Sequence, residues 1–405
     1  MTINGTFRFH AVGQGLFYSG LINGTRYSQG ETFSFVYDCG SISSKCFLNR
    51  EIDDFKALLP YANSRSKKRL DLLIVSHMHD DHVNGLEYLL NNVEVDTVVM
   101  PYTDSVIRLL ARAESSSEEE FLRAFYMDPI GWFSSKGVHR IMLVGSPPEG
   151  DYRIEESNDQ IRSRYNGDYD RFRVERSCIL TSENNGETEI LYLDNIAQAQ
   201  LSFFWSFRFS NLYLPETKKY IDVVDRFQKE TMLSLDNIFH DRLMTKELAR
   251  RLRNAIPNGK TVNRTSVVVE HEPLSEYRET TFFQSSLPMS MQGYYPEEIY
   301  HISGKPNFCR RTVLTGDIEV KGDETLPLSD NTQSNYIVFQ CPHHGARKAL
   351  TYTTSLRRAV VVFSAGIVNK YGHPHTDVLN KARFSVIVNE RNAFDYRIAV
   401  RSDKN

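Results

Sequence analysis

The chain has 405 residues, 40% of them hydrophobic and 24% charged, which is typical of a globular protein with one large or two ordinary domains. Its net charge of −3 excludes a global basic field, so any surface that binds nucleic acid must be a local patch. The sequence has no apolar run of about 20 residues, no signal-peptide pattern at its start and no C-x-x-C pair among its five cysteines, and it therefore predicts a cytoplasmic protein outside the membrane.

Strand-like runs of β-branched and aromatic residues occur in two separate segments of the chain. In chain order the runs are 6–10, 31–37 and 70–76, then 266–270, 312–315, 336–341, 360–364 and 396–401. The third run contains Leu72-Leu73-Ile74-Val75, which is apolar without a break, as in a strand covered on both faces. Behind it, Val83, Leu86 and Leu90 recur at helical spacing and predict a helix.

The sequence between these segments, residues 103–262, differs in character. It contains a capping box that would open a helix, a turn between two strand-like runs that predicts a hairpin, and two longer helical patterns. In chain order these are Ser117–Glu120, 178–182 with 189–193, 217–228 and 241–254. We therefore expect one domain over 1–405, whose sheet-based core is 1–102 and 263–405 and whose largely helical insertion, 103–262, mixes helix and hairpin.

The strongest chemical pattern is H-x-H-x-D-H, formed by His77, His79, Asp81 and His82. Because His77 and His79 are two residues apart, their side chains project to the same side if the strand continues. Three imidazoles and a carboxylate within six residues suit zinc, with manganese or iron as alternatives. A solvated polar turn would account for a lone histidine, but it accounts poorly for four ligand-type residues at this spacing. The pattern predicts a metal site.

A site for two metals needs ligands from other strands, and the sequence supplies candidates. Asp317 follows the apolar strand Val313-Leu314, and the pair His343–His344 follows the strand-like run 336–341. An Asp at a strand end can bridge two cations that lie about 3.5–4 Å apart. His373 follows another apolar strand. It is a further ligand, a phosphate contact or a proton donor, and the alternative is a structural loop histidine.

In this order the motifs resemble the metallo-β-lactamase superfamily. The matching residues are Asp38, His77-x-His79-x-Asp81-His82, Gly316-Asp317, Pro342-His343-His344-Gly345, Ser364-x-Gly366 and Asn369-x-Tyr371-Gly372-His373-Pro374. Val12-Gly13-Gln14-Gly15 and Asn263-Arg264-Thr265-Ser266 also resemble one branch, the ComEC-like hydrolase domain of the bacterial competence DNA-uptake protein. The resemblance covers residues 7–102 and 263–401.

The resemblance implies an α/β fold, a four-layer αβ/βα sandwich with two metal ions in a cleft at one edge of its two sheets. By motif position, the implied ligands are His77 and His79 for the first metal, Asp81 and His82 for the second, and Asp317 as the bridge. His344 resembles the last ligand of the second metal more than His343 does, and Asp38 resembles an aspartate that supports the ligand loop. Many relatives carry another histidine at the first metal that this sequence does not place, so that site is open or completed by water.

The function implied by the resemblance is hydrolysis. Two divalent ions, Zn²⁺ before Mn²⁺ or Fe²⁺, would lower the pKa of a bridging water, and the hydroxide would attack carbon or phosphorus. Asp81, Asp317 and His373 are the expected catalytic residues, with His373 as a leaving-group acid or a phosphate contact. The branch favours a phosphodiesterase, specifically a nuclease that acts on DNA. The alternatives are a hydrolase of a lactone, thioester or cyclic nucleotide, and a non-catalytic subunit or interaction module of a larger assembly.

Two further features concern partners. Basic residues within 65–69, 162–173 and 246–253 would track a nucleic-acid backbone, and the second stretch carries aromatics that would stack on bases. The alternative is a solvated surface of mixed charge. The aromatic run within 199–213 is compatible with core packing, with a lid over the cleft, or with a surface of the insertion that docks a protein partner.

Overall fold

Two large β-sheets stacked face to face form the centre of the protein. The computed structural model describes residues 2–24, 32–62, 66–145, 172–201, 204–212, 218–255, 261–274, 280–285, 311–320, 324–329, 336–347 and 359–401. Within these ranges no helix has the length and apolar character needed to cross a membrane.

The described strands and helices are as follows. The strands are β1 (Thr2–Phe9), β2 (Phe17–Gly24), β3 (Thr32–Cys39), β4 (Lys68–Ile74), β5 (Val93–Pro101), β6 (Arg140–Val144), β7 (Phe172–Val174), β8 (Ile179–Asn185), β9 (Thr188–Leu193), β10 (Ile196–Leu201), β11 (Trp205–Ser210), β12 (Val268–Pro273), β13 (Thr280–Ser285), β14 (Arg311–Leu314), β15 (Tyr336–Gln340), β16 (Val360–Ser364), β17 (Phe384–Val388) and β18 (Phe394–Arg401). The helices are α1 (Lys45–Leu58), α2 (Asp80–Val83), α3 (Leu86–Leu90), α4 (Ser105–Glu114), α5 (Glu120–Met127), α6 (Pro129–Ser135), α7 (Lys218–Thr231), α8 (Leu235–His240), α9 (Arg242–Ala255) and α10 (Thr376–Leu379).

The order of the strands places several of them parallel and side by side. The first sheet has the order β13-β18-β1-β2-β3-β4-β5-β6-β9-β8, and the second has the order β17-β16-β15-β14-β12-β11-β10-β7. In the first sheet β3, β4, β5, β6 and β9 are parallel to one another, and in the second β14, β15, β16 and β17 are. The carboxyl ends of parallel neighbours meet at one edge of a sheet, which is where ligands bind in open α/β sheets.

Three regions of buried apolar side chains separate the four layers. The first lies between the helices and the first sheet and includes Leu48 and Leu73. The second fills the space between the two sheets and includes Phe35 and Trp205. The third covers the outer face of the second sheet and includes Val378 of α10. The α/β sandwich predicted from the sequence is therefore confirmed.

The local predictions agree with the structure except at one helix start. Each of the eight strand-like runs overlaps a strand, the hairpin is β8 and β9, and the two longer helical patterns correspond to α7 and α9. The helix behind the motif is present in two pieces, α2 and α3. The predicted capping box is wrong, because Glu119 occupies the N-cap position of α5 without a side-chain capping bond, and the hydroxyl of Ser117 accepts from the Glu119 N–H, two residues on. Asp80 binds Ser115 and Ser116, which fixes the loop before the helix.

The segment 103–262 contributes strands to both sheets as well as helices. β6, β8 and β9 extend the first sheet beyond β5, and β7, β10 and β11 extend the second beyond β12. Helix α9 packs against α4, and Leu248 and Leu252 of α9 belong to the same buried cluster as Leu110 of α4. The segment is therefore structurally continuous with the two sheets.

The aromatic run within 199–213 forms part of the core between the sheets. Trp205, Phe207 and Phe209 are fully buried, because alternate residues of β11 point towards the first sheet. The ring of Trp205 lies 5.6 Å from that of Phe7, measured between centroids. Phe203 and Tyr213 lie outside the described residues. Core packing therefore accounts for the described part of the run, and these three side chains cannot form a lid.

Replacing Trp205 with alanine should destabilise the protein by about 3–5 kcal/mol, because it leaves a large cavity between the sheets. Chemical denaturation of the two proteins measures this difference. Leu243→Ala is the control: the Leu243 side chain is 74% exposed, and the change should cost less than about 0.5 kcal/mol. An unfolding free energy close to that of the wild type for Trp205→Ala would contradict the core assignment.

Candidate metal centre

The predicted ligands come together where five strands end. Asp38 lies at the end of β3, the His77–His82 motif follows β4, and Asp317 follows β14. His344 lies in a 3-10 turn directly after β15, and Ser364 is the last residue of β16. The parallel course of these strands within each sheet brings residues far apart in sequence to one edge of the sandwich.

Two groups of ligand atoms form at this edge. One atom each from His77, His79 and Asp317 lie within 4.8 Å of one another, and so do one atom each from Asp81, His82 and His344. Asp317 is also close to the second group, since its two carboxylate oxygens lie 3.3 Å from His82 Nε2 and 3.5 Å from His344 Nε2. The structure thus brings together six of the residues that the sequence singles out, with Asp317 between the two groups.

Each of the four imidazoles has one nitrogen bound to an outer partner. The pairs are His77 Nδ1 with Ser76 Oγ at 2.9 Å, His79 Nε2 with Glu114 Oε2 at 2.7 Å, His82 Nδ1 with Asp38 Oδ2 at 2.8 Å and His344 Nδ1 with the Ser364 carbonyl at 2.6 Å. The other nitrogen of each ring faces the ligand group. This arrangement is typical of metal-binding histidines, whose outer hydrogen bond fixes the tautomer and the ring orientation.

Three inward-facing atoms support the same interpretation. His82 Nε2, His344 Nε2 and Asp317 Oδ1 are buried, and although they lie at ion-pair distance from neighbouring ligand atoms, none makes a hydrogen bond within the described part of the chain. A buried polar atom without a partner costs free energy, and a cation coordinated by these atoms would remove that cost. Imidazole nitrogens and carboxylate oxygens at this spacing fit two divalent ions of the zinc, manganese or iron type.

Asp38 fixes the loop that carries the motif. Its two carboxylate oxygens accept from the Ser76 N–H and the Ser76 hydroxyl, both at 2.6 Å, and Oδ2 also contacts His82 Nδ1. Asp38 is completely buried and has a left-handed backbone with φ 55°. Burial raises the pKa of Asp38, although His82 and Ser76 act in the opposite direction. One carboxylate thus orients His82 directly and His77 through Ser76.

The electrostatics of the site keep the two carboxylates and His77 in their metal-binding forms. Burial alone would lower the pKa of His82, but Asp317, Asp38 and Asp81 raise it well above 6.5, so this ring would release a proton when a cation binds. Burial alone would raise the pKa of Asp81, but His82 and His344 lower it to about 2. Burial would also raise the pKa of Asp317. The neighbouring imidazoles of His344, His82 and His343 instead hold this pKa well below its usual value. Burial and the neighbouring imidazoles lower the pKa of His77 well below 6.5. Both carboxylates are therefore ionised at neutral pH, and His77 is neutral.

A close approach between the two sheets holds Asp317 against the motif loop. Gly316 has φ +54°, and a Cβ at this position would lie 2.7 Å from Cβ and Oγ of Ser76, so only glycine fits. The side chain of Gln340 accepts from the Thr315 N–H and donates to the Gly316 carbonyl. These contacts join the end of β14 to the end of β15, which leads into the turn that carries His344.

His343 and His373 lie beside the two ligand groups. Nδ1 of His343 is 3.2 Å from Asn263 Nδ2, and the His373 ring lies 5.8 Å from the His343 ring and 6.3 Å from the His344 ring. Burial, His344 and His343 lower the pKa of His373 to about 4, so its imidazole is neutral at pH 7. Asn369 binds the N–H and the carbonyl of His373, which fixes the loop. His344, rather than His343, joins the second ligand group.

The ligand groups open into a cleft of about 720 Å³. This volume is within the range of about 300–1,000 Å³ that small-molecule sites occupy. One part of its wall carries His343 and His373, and another part carries Glu114, Ser115 and Ser116 from the segment 103–262. Its exposed lining residues include Ile42, Val368, Lys370 and Tyr371, which form the mouth.

A third group of Glu94, Asp96 and His139 lies at the opposite end of the first sheet. Arg69 binds Asp96 through Nη2 at 2.7 Å. The charge of this carboxylate is therefore already compensated within the protein, and we assign the group no role.

Two residues that fix the motif loop were not identified from the sequence. Asp80 binds Ser115, Ser116 and the Tyr126 hydroxyl, and Glu114 binds His79. Both contacts join the motif loop to the segment 103–262. No local pattern could have identified them, because the contact exists only once α4 and α5 pack on the first sheet.

The comparison with known families agrees with the fold and the site. A family model described as the metallo-beta-lactamase superfamily matches residues 26–153, which contain β3, β4 and the His77–His82 motif. No curated protein matches the chain. The two-sheet sandwich, the match and the His/Asp groups together indicate a metallo-β-lactamase-type domain, and most members of that superfamily are metal-dependent hydrolases.

Purified protein should bind two divalent ions per chain, because two ligand groups lie side by side. Asp317→Asn should weaken both sites, whereas His344→Ala should weaken only the second. Elemental analysis after dialysis, together with calorimetric titration of Zn²⁺, measures stoichiometry and affinity. His240→Ala, a histidine outside the cleft, is the control. Unchanged metal content in Asp317→Asn would contradict the proposed centre.

Proposed function

We propose that the protein is a metal-dependent phosphodiesterase of the ComEC-like branch, with DNA as its first substrate to test. The assignment as a metal-dependent hydrolase rests on one observation, the arrangement of the four imidazoles. One nitrogen of each ring is bound to an outer partner, and the other faces the group of ligand atoms around Asp81 and Asp317. The phosphodiester part rests on the motif resemblance and on the polar groups of the cleft. Zn²⁺ is the expected ion, with Mn²⁺ or Fe²⁺ as alternatives.

His77, His79 and Asp317 would hold the first ion, and Asp81, His82 and His344 the second, with Asp317 between them. Two divalent ions bound there lower the pKa of water and polarise the oxygen of a scissile group.

The chain supplies binding and orientation around this centre. His373 is neutral and lines the cleft beside His344, so it would donate a hydrogen bond to a phosphoryl oxygen. The Asn263–His343 pair would contact the substrate from the same wall. Asp81 and Asp317 are ionised at neutral pH, so both carboxylates are ready to bind a cation. The role proposed for His373 is therefore a phosphate contact in preference to a leaving-group acid.

The mouth of the cleft offers a short recognition surface for a nucleotide. Lys370 and Tyr371 are exposed, and the lysine ammonium lies 5.2 Å from the centre of the tyrosine ring. A cation beside an aromatic face suits a phosphate followed by a base. Asn369 and the contacts of Glu390 with Ser43 and Ile367 hold the base of this loop. The loop is thus fixed in place before a substrate binds.

The other basic stretches support only a limited contact with nucleic acid. Arg69 binds Asp71 and Asp96, and Lys68 binds the Leu59 carbonyl. The four arginines of α9 are also paired with glutamates; they are Arg242, Arg250, Arg251 and Arg253. Arg65 and residues 162–171 lie outside the described residues, and Phe172 is buried between the sheets, where it cannot stack on a base. We therefore favour single strands and ends as substrates.

One observation favours a second candidate, a hydrolase of a small thioester or lactone. Ile42, Ile367 and Val368 are 43%, 51% and 90% exposed, and two of them line the mouth of the cleft. An acyl chain could pack on such apolar side chains. A screen that includes both substrate classes decides between the two functions.

The metal-loaded protein should cleave single-stranded DNA and bis(p-nitrophenyl) phosphate. It should cleave closed circular duplex DNA more slowly than single-stranded DNA. A chelator should abolish activity, and added Zn²⁺ or Mn²⁺ should restore it. Asp317→Asn should lower kcat/KM at least about 100-fold. Loss of an outer contact to a ligand lowers activity about 10- to 100-fold, and this change alters a ligand itself. Hydrolysis of a thioester or lactone without phosphodiester cleavage would contradict the proposal and favour the second candidate.

Replacing His373 with alanine should lower kcat/KM about ten- to a hundredfold, because a hydrogen bond to a charged group is worth about 1.5–3 kcal/mol. The loss should be the same for p-nitrophenyl and alkyl leaving groups. A leaving-group acid would give a much larger loss with alkyl substrates, since p-nitrophenolate departs without a proton. His375→Ala, on the neighbouring turn, is the control. A strong dependence on the leaving group would overturn the assignment.

A further inference from the structure

The outer partner of His79 comes from a different part of the fold from those of the other three imidazoles. Ser76, Asp38 and Ser364 lie at strand ends of the sheets. Glu114, in contrast, is the last residue of α4 in the segment 103–262. Its Oε2 lies 2.7 Å from His79 Nε2, and its Oε1 lies 2.5 Å from Nη2 of Arg253 on α9.

We propose that Glu114 is a positioning residue for the first metal. It holds the ring of His79 so that Nδ1 faces the ligand group, and Arg253 holds Glu114. The inference rests on the metal centre of the proposed function and not on the substrate. It extends the role of the segment 103–262 from forming a cleft wall to completing the geometry of the first site.

His79 depends on its outer partner more than the other ligands do. Its side chain is 21% exposed, whereas those of His82 and His344 are 0% and 2% exposed. Close packing therefore supports the outer hydrogen bonds of the buried rings, whereas the partly exposed ring of His79 depends mainly on its own hydrogen bond to Glu114. The first group also consists of two imidazoles and one carboxylate among the described residues, so a misplaced His79 removes a large share of its ligands.

The position of Glu114 is itself fixed from two sides. Asp80, next to His79 in the motif, binds the Ser115 hydroxyl and the Ser116 N–H, both at 3.0 Å, so the residues after Glu114 are held at the motif loop. On the other side, α4 and α9 pack through buried Leu110, Leu248 and Leu252. The carboxylate is therefore placed by the fold, which distinguishes it from an adventitious surface ion pair.

Co²⁺ titration of the full-length protein tests the proposal, because its visible absorption reports coordination geometry and its binding curve resolves strong and weak sites. Glu114→Ala should weaken the first site about 10- to 100-fold and leave the second unchanged. Glu114→Gln keeps an acceptor oxygen and should retain most of the affinity. The melting temperature of the metal-free protein should be unchanged in both variants.

Glu118→Ala is the matched control: Glu118 is four residues further on, 55% exposed and paired with Arg242 and Arg112. Its Co²⁺ binding should equal that of the wild type. His79→Ala serves as the reference for loss of a ligand. If His79→Ala loses the first site and Glu114→Ala does not, or if Glu114→Ala weakens both sites equally, the inference is overturned while the metal centre stands. If His79→Ala also keeps both ions, the metal centre itself is wrong.

Discussion

The carboxylate of Asp38 is the constraint on which the rest of the site depends. A fully buried carboxylate is tolerated only where donors surround it, and here the Ser76 N–H, the Ser76 hydroxyl and the His82 ring fill that role. The same contacts set the direction of the chain as it leaves β4 and the tautomers of His77 and His82. The left-handed backbone of Asp38 is strained by about 1–3 kcal/mol, and these three contacts hold it in that conformation.

The remaining ligands reach this centre because parallel strands end together. Asp317 and His344 follow neighbouring strands of the second sheet, and the Gln340 side chain connects their loops. The backbone of His343 and His344 is also left-handed, and the two rings lie almost perpendicular to each other with their centroids 6.4 Å apart. As a result His344 points to the ligands while His343 points to Asn263. The division between the two histidines comes from the backbone and not from their chemistry.

The sequence predicts well what depends on local spacing and on strand ends. The H-x-H-x-D-H motif, Asp317 and His344 could be found because each follows an apolar strand, and the family resemblance of these motifs implied the sandwich. The strands that 103–262 adds to the two sheets could not be assigned in this way, since pairing of β6 with β5 or β11 with β12 is a long-range event. The alternation of Trp205, Phe207 and Phe209 is typical of a half-buried strand, but so dense an aromatic run is equally compatible with a lid or a docking surface. Glu114 could not be predicted, because its partner lies 35 residues away on another element.

The strand order has a consequence for how such a chain can vary. β5 has β6 as its neighbour on one side, and β12 has β11, and both neighbours come from the segment 103–262. A shortened protein without this segment would leave two rows of backbone amides and carbonyls open to pairing with other molecules, which is a recognised route to aggregation. The segment therefore cannot be deleted or replaced in the way that a surface loop can. Diversification of this wall of the cleft is therefore confined to substitutions and to lengthening of the connections between its strands and helices.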